Sequence, residues 1–194
     1  MKMTRLAWIK VTCATALSIT AFSSAIAQPA ELRVGLIPSE DAQAMIRASQ
    51  QIMDQLAEKS GMKVRPFVAN DYNGVIEALR SGKLDIAYLG PFSYVLASEV
   101  ANAEAFAVAV TKKTGTSSYQ SLLITRKDSG LDSVAKLKGK TFSFVDPSSA
   151  SGHLFPKAGL LAEGYDPDLY FSRVIFSGSH DANIMAVALS LIHI

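Results

Sequence analysis

Two kinds of apolar spacing alternate along the chain, and together they predict strands that are followed by helices. Strand-type runs cover residues 31–37, 63–68, 84–89, 106–110, 119–125, 141–145 and 174–176. Helical spacing covers residues 39–60, 73–80, 92–101, 153–162 and 182–188, with a short helical turn at 134–137. Glycine, proline and serine mark the joints between these runs. Strands that alternate with helices predict an α/β fold with a mainly parallel sheet.

The first 27 residues have the pattern of an export signal. A basic segment over residues 2–10 precedes an uncharged apolar run over residues 11–26, and Ala25-Ile26-Ala27 is an A-x-A cleavage site. The apolar run has roughly 16 residues, fewer than the roughly 20 that a membrane-spanning helix needs. We therefore predict a signal peptide over residues 1–27, cleavage after Ala27 and a periplasmic location.

The composition beyond residue 27 argues against several classes of partner and chemistry. Three of the 19 basic residues lie in the predicted signal, so the remainder, with 17 acidic residues, has a net charge of about −1. A near-neutral chain is not expected to bind nucleic acid or an acidic membrane surface. The single cysteine, Cys13, is also in the signal, and the three histidines lack metal-ligand spacing. We expect neither a metal nor a cofactor.

A run of small residues marks the joint between the predicted strand 141–145 and the helix that follows it. Residues 146–152 read Asp-Pro-Ser-Ser-Ala-Ser-Gly. Pro147 disfavours the helical conformation at Asp146, so the helix is expected to begin among the serines. A helix N-terminus carries unpaired N–H groups and about half a positive charge, which suits a small anion. Two interpretations stay open: an ordinary serine N-cap, or a ligand loop.

Three further residues are candidates for binding on their position alone. His180 follows Ser177-Gly178-Ser179 in the first turn of a predicted helix, where it either donates to an anion or caps the helix at the surface. Tyr72 begins a helix after Asp71, a plausible N-cap, and Tyr119 begins a predicted strand. Each tyrosine either directs its hydroxyl across a cleft or packs against the core.

The residue pattern does not support enzymatic chemistry. The sequence has no G-x-S-x-G nucleophile elbow, no P-loop and no G-x-G-x-x-G motif. His180 and Asp181 are adjacent in sequence, which places them poorly to act as a base and the group that orients it. We predict that the protein is not an enzyme.

Five stretches that span most of residues 31–188 carry a resemblance to a known family. They are LRVGLIPSED, FVANDYNGVIEALRSGKLDIAYLGPFSYV, SSYQSLLITRKDSG, LKGKTFSFVDPSSASGHLFPKAGLL and FSGSHDANIMAVA. Together they resemble the substrate-binding components of phosphonate- and phosphite-type ABC transporters, a branch of the class II periplasmic binding proteins. The combination is specific, whereas any one stretch alone would be weak.

The resemblance implies two α/β lobes joined by a hinge, a first lobe over residues 28–125 and a second over 126–188. The lobes would close on a tetrahedral phosphorus oxyanion. Carried over position by position, the ligand-binding residues would be Tyr72 and Tyr119 from the first lobe, and Ser149, Ala150, Ser151 and His180 from the second. Family members commonly have Ser-Thr-Ser where this chain has Ser149-Ala150-Ser151, so one hydroxyl donor is missing.

The resulting functional prediction is a monomeric periplasmic solute-binding protein that captures a phosphonate, phosphite or related oxyanion. It would deliver that ligand to an ABC permease in the inner membrane and catalyse no reaction. Three alternatives stay open: a binding protein for another small anion such as a sulfonate, the extracytoplasmic sensor domain of a receptor, and an esterase that uses one of the serines.

The resemblance also predicts a defect near the end of the chain. Residues 189–194, Leu-Ser-Leu-Ile-His-Ile, do not match the way the family continues, and they are interpreted as possibly foreign sequence. The second lobe is then expected to be incomplete and to expose apolar surface. Weak folding or weak binding would follow.

Overall fold

The computed structural model describes residues 31–192, so the predicted signal peptide lies outside the described residues. The first half of this range forms a three-stranded sheet with three helices. The strands are β1 (Glu31–Leu36), β2 (Lys63–Val68) and β3 (Ile86–Tyr88), and the helices are α1 (Ala42–Ser60), α2 (Tyr72–Arg80) and α3 (Pro91–Ala101). These bounds confirm the predicted order of elements up to residue 101.

The first sheet has the order β2-β1-β3, and both strand pairs are parallel. At its centre Val34 lies opposite Pro66 on one side and Ile86 on the other. Parallel neighbours need a crossover connection, and α1 and α2 supply it. α1 begins at Ala42 and α2 at Tyr72, close to the predicted starts at residues 39 and 73, because Asp41 and Asp71 cap them by accepting the N–H groups of Ala44 and Gly74.

The second half contains a two-stranded parallel sheet and three further helices. The strands are β4 (Thr141–Phe144) and β5 (Arg173–Phe176), and Phe144 pairs with Phe176. A π-helical turn over Ala150–Leu154 leads into α4 (Phe155–Ala162), which is followed by α5 (Pro167–Tyr170) and α6 (His180–Ala188). All strand pairs among residues 31–192 are parallel, which confirms the predicted α/β fold with mainly parallel sheets.

Each sheet has a core of its own, and the residue that follows β4 packs in the core of the first half of the chain. The second core is aromatic: the Phe142 ring stacks on Phe171 with centroids 4.4 Å apart and meets Phe144 edge-on at 4.8 Å. Val145, directly after β4, packs instead with core residues of the first sheet, namely Ile37, Tyr72, Val75 and Leu84. The end of β4 is therefore buried against the first half of the chain.

Two of the predicted strands are wrong. Residues 102–126 form neither helix nor strand, although 106–110 and 119–125 carry strand patterns. Phe106, Val108 and Leu122 are 78%, 72% and 75% exposed. A strand pattern becomes a strand only beside a hydrogen-bonding neighbour, and nothing in residues 31–192 pairs with these segments. The limits of the two lobes stay a prediction.

A short helical turn precedes β4. Residues Val134–Leu137 form a 3₁₀ turn, as the sequence predicts for a helical turn at this place. None of the helices within residues 31–192 combines the length and the apolar character that crossing a bilayer requires.

Candidate anion-binding site

The serine-rich joint after β4 forms a tight turn that hydrogen bonds hold from within. The Asp146 carbonyl accepts the Ser149 N–H at 2.9 Å, and the Asp146 carboxylate accepts the Ser148 N–H at 2.7 Å. The side chains of Asp146, Ser148 and Ser149 are 5%, 8% and 3% exposed. This turn, residues 146–149 together with the π turn, is called the serine turn below.

The π turn opens wider than an α-helical turn and leaves donors free. The Ser149 carbonyl accepts the Leu154 N–H at 3.0 Å, a bond that spans five residues. Ser149 Oγ accepts the Gly152 N–H at 3.0 Å, so the N-cap interpretation holds for this hydroxyl. The N–H groups of Ala150 and Ser151 bond to no acceptor within residues 31–192. These two donors are the feature that suits an anion.

The predicted helix 153–162 therefore begins earlier than its sequence pattern indicates. The helical turn starts at Ala150 and becomes α-helical only at Phe155. Gly152 makes this start possible, because a Cβ at that position would lie 2.4 Å from Val145 Cβ. The close approach lets Val145 donate its N–H to the Gly152 carbonyl at 2.9 Å. π turns of this kind are frequent at functional sites.

Tyr72, at the start of α2, contacts the serine turn by donating its N–H to Asp146. Its side chain is only 2% exposed, and burial raises the pKa of the Tyr72 phenol to about 12. A hydrogen bond with Ser149 opposes part of this rise in pKa, whereas the charges of Asp146 and Tyr119 add to it. Tyr119 itself is 55% exposed. Tyr72 and Ser149 thus come together although they are far apart in sequence, whereas Tyr119 lies in the exposed segment of residues 102–126.

Ser151 and His180 share a neighbouring cavity of about 280 Å³, which residues 120–124 also line. Burial lowers the pKa of the His180 imidazole, and the carboxylates of Glu40 and Asp181 partly oppose this. Ser121 Oγ donates to the Ser151 carbonyl at 2.6 Å, which joins the segment after Tyr119 to the serine turn. Ala150, 3% exposed, lies between Ser149 and Ser151 along the chain. The predicted residues therefore form two adjacent groups, Tyr72 with Ser149 and Ser151 with His180.

Sequence reasoning missed the role of Asp146. Its carboxylate accepts the N–H of Tyr72 at 3.3 Å, across 74 positions of sequence, as well as that of Ser148. Asp71 already accepts the Gly74 N–H, so two carboxylates occupy the N-terminus of α2. The anion-binding potential of this helix end is thereby used within the chain. The only signal was an acidic residue between a buried strand and a proline.

The polar groups around the serine turn are suited to donate hydrogen bonds. Among the described residues, no serine hydroxyl of the turn bonds to a histidine, and His153 Nδ1 instead pairs with the Pro147 carbonyl at 2.9 Å. No cluster of three or more His, Cys, Asp or Glu side chains suited to a metal occurs in residues 31–192. The arrangement offers amide N–H groups, hydroxyls and a neutral imidazole, which are donors for an oxyanion.

Comparison with known proteins decides the family. The family model described as "ABC transporter, phosphonate, periplasmic substrate-binding protein" matches residues 34–194. The chain belongs to this family. It is 32% identical over 168 residues to the phosphate-import protein PhnD of Mycolicibacterium smegmatis, covering 82% of this chain and 52% of that protein. It is 36% identical over 165 residues to the phosphonates-binding periplasmic protein of Escherichia coli, covering 83% and 48%.

A solved structure of a phosphonate-transporter binding protein has a similar fold. A binding-protein component of an ABC phosphonate transporter from Pseudomonas aeruginosa superposes with a TM-score of 0.81 at 33% identity, covering 86% of this chain and 56% of that one. The chain spans about half the length of the curated relatives it matches. The family match includes residues 189–194, and the interpretation of those residues as foreign sequence stays a prediction.

Proposed function

We propose that this protein is a periplasmic solute-binding protein that captures a phosphonate, phosphite or related phosphorus oxyanion for an ABC importer. The observation that carries the proposal is the serine turn, where the N–H groups of Ala150 and Ser151 have no acceptor within residues 31–192. Membership of the phosphonate-binding family supports it. Binding proteins of this class deliver their ligand to a permease in the inner membrane, and we propose a monomer without catalytic activity.

The proposed ligand residues divide between the two sheets. Ser149, Ala150, Ser151 and His180 come from the half with the second sheet, Tyr72 comes from the half with the first sheet, and Tyr119 comes from the segment 102–126 between them. An anion at the serine turn would accept from amides at a helix start, in a place that Tyr72 closes off from water. Amide and hydroxyl donors are strong there because the surroundings are of low polarity. No lysine or arginine is needed to neutralise the charge.

The proposed mechanism is a shift between open and closed arrangements. A ligand that contacts both halves binds the closed arrangement more tightly and therefore increases its population. The Asp146 carboxylate already links the two halves through the Tyr72 N–H. Because a carboxylate lies beside the site, an oxyanion that carries a proton is easier to accommodate than one that cannot.

The experiment that tests this function is calorimetric titration of the purified chain with phosphate, phosphite, methylphosphonate, 2-aminoethylphosphonate and ethanesulfonate. We expect saturable binding of at least one phosphorus oxyanion and an upward shift of its melting temperature. Tyr72→Phe should weaken that binding by about tenfold, since one hydrogen bond to a charged ligand contributes roughly 1.5–3 kcal/mol. Tyr88→Phe, at a 54% exposed position, is the matched control.

The same titration separates the proposal from its alternatives. Binding of ethanesulfonate alone would indicate a sulfonate-binding protein, and a cooperative melt without any ligand-induced shift would contradict the proposal. Turnover of a nitrophenyl ester that Ser149→Ala abolishes would indicate an esterase. The proposed periplasmic location requires export with removal of residues 1–27. Mass spectrometry of the mature chain tests this.

A further inference from the structure

Two segments that lie 140 positions apart in sequence meet through a reciprocal pair of hydrogen bonds. The His180 N–H donates to the Ser39 carbonyl at 2.9 Å. In the opposite direction, the Asp41 N–H donates to Asp181 Oδ2 at 2.9 Å. These four residues, Ser39, Asp41, His180 and Asp181, are called the clasp below. They join the loop after β1 to the first turn of α6, and so connect the first half of the chain to the second.

Each side of the clasp lies at the capped start of a helix. Asp41 is the N-cap of α1, where its Oδ1 accepts the Ala44 N–H at 2.8 Å. Ser179 is the N-cap of α6, where its Oγ accepts the Ala182 N–H at 3.1 Å. Because each cap fixes the direction of its helix start, the two clasp bonds form only in one relative placement of the segments. The clasp thus ties the start of α1 to the start of α6.

The clasp also determines where His180 lies. The main chain of His180 is bonded to Ser39, while the residue lines the cavity that contains Ser151. Asp181 is exposed and follows His180 directly in the first turn of α6. Loss of the Asp181–Asp41 bond would leave the His180 amide as the only remaining clasp bond and would free the helix start to move.

We propose that Asp181 is a positioning residue that holds His180 at the ligand cleft and slows ligand release by keeping the cleft closed. The inference rests on the proposed function, since it concerns the same site. Its carboxylate acts as a hydrogen-bond acceptor for the Asp41 amide, and its charge is not required. Glu40, Asp41 and Asp181 are all acidic and stand near one another, so a neutral acceptor at position 181 would reduce repulsion between these side chains.

The test compares Asp181→Ala with Asp181→Asn, using methylphosphonate as the probe. Association and dissociation rates are followed by stopped-flow tyrosine fluorescence, and melting temperature is measured in parallel. Asp181→Ala should raise the dissociation rate by about tenfold and leave the association rate within about twofold, since one hydrogen bond of the closed form is lost. Asp181→Asn keeps an acceptor oxygen and should behave like the unmodified chain.

The control is Asp168→Ala, which removes another exposed first-turn aspartate in the same half of the chain. Asp168 lies in α5 with its Oδ2 3.5 Å from Lys157 Nζ, and it lines neither the cavity nor the clasp. We expect unchanged rates for this variant. A slower association rate for Asp181→Ala, or equal losses for Asp181→Ala and Asp181→Asn, would overturn the positioning role.

Hydrogen exchange separates failure of this inference from failure of the proposed function. The Asp41 amide should be protected in the unmodified chain and in Asp181→Asn, and should exchange faster in Asp181→Ala. If the unmodified chain gives no signal with methylphosphonate or with any other phosphorus oxyanion of the calorimetric series, the proposed ligand class is wrong and amide exchange decides the clasp by itself. An Asp41 amide that exchanges equally fast in all three proteins would overturn the clasp whatever the ligand result.

Discussion

The segment from Thr141 to Leu154 and the segment from residue 102 to 126 carry similar apolar patterns and have opposite structures. In the first, Phe142 and Phe144 are each 2% exposed, and the serine turn that follows is held by hydrogen bonds to Asp146 and Ser149. In the second, Phe106 and Val108 are 78% and 72% exposed and no strand forms. The first segment pairs with a neighbouring strand and packs in an aromatic core, and the second does neither.

The difference shows that a strand pattern forms a strand only where a neighbouring strand and a core are available. β4 pairs with β5 over four positions and buries its aromatic side chains against Phe171 and Leu160. Alternating Val and Phe residues in the other segment meet the same steric preference but gain no hydrogen-bonded neighbour among residues 31–192. β-propensity reflects packing on a half-buried surface, so it decides little where that surface is absent.

The largest expected effect is on the aromatic core beside β4. Phe142→Ala would remove a ring that stacks on Phe171 and meets Phe144 edge-on. We expect the free energy of unfolding to fall by about 3–5 kcal/mol, as measured for buried phenylalanines elsewhere. Urea unfolding followed by circular dichroism measures this. A loss below about 1 kcal/mol would mean that the core near Phe142 is not formed.

The next effect concerns the close approach in the serine turn. Gly152→Ala would place a Cβ 2.4 Å from Val145 Cβ and 2.9 Å from Ser149 Oγ. We expect a loss of about 3 kcal/mol in stability, the upper end of the range for overpacking, together with loss of anion binding. Gly159→Ala is the matched control, since nothing lies within 4 Å of its added Cβ. A neutral result at both positions would contradict the π-turn geometry.

A somewhat smaller effect is expected from the contact between the two halves. Asp146→Ala would leave the N–H groups of Tyr72 and Ser148 without their acceptor, at a cost of about 2 kcal/mol for buried donors. Asp132→Ala removes an exposed ion pair with Lys136 and should change stability by less than about 0.5 kcal/mol. Thermal melts of both variants at pH 7 give the comparison. Similar melting temperatures for the two variants would argue against a buried bridge.

A weaker and pH-dependent effect is expected from Tyr72. Burial raises the pKa of this phenol to about 12, so between its ordinary value of 10.0 and 12 the unfolded chain releases a proton that the folded chain retains. The folded state then binds more protons than the unfolded state, and stability must fall as the pH rises through this range. Tyr72→Phe should reduce that alkaline decline in melting temperature. Identical declines in both proteins would contradict the burial of the phenol.

The smallest effect belongs to the exposed segment, and it completes the comparison with Phe142. Phe106→Ala should change the free energy of unfolding by less than about 0.5 kcal/mol, because the ring is 78% exposed. The measurement is the same urea titration used for Phe142→Ala. A loss of several kcal/mol at position 106 would show that this segment is packed in solution, and the contrast between the two regions would then disappear.

Local signals allowed much of the fold to be predicted. Asp71 caps α2 as the sequence predicts, Asp41 caps α1 within a few residues of its predicted start, and Gly61 ends α1 in the left-handed conformation with φ of 67°. Capping and apolar periodicity act over a few residues, so they can be identified from one sequence. The proposed site was partly predictable for the same reason, since serines at a helix start are a local pattern.

What the sequence by itself determined is the alternation of strands and helices, the caps, and the run of small residues that permits a π turn. Only the tertiary structure decided that Asp146 accepts the Tyr72 N–H, that Asp181 meets Asp41, and that residues 102–126 form no strand. These outcomes depend on segments up to 140 positions apart. A hydrogen bond or strand pair between such segments forms only when the whole chain brings them within about 3 Å, and no local pattern encodes that distance.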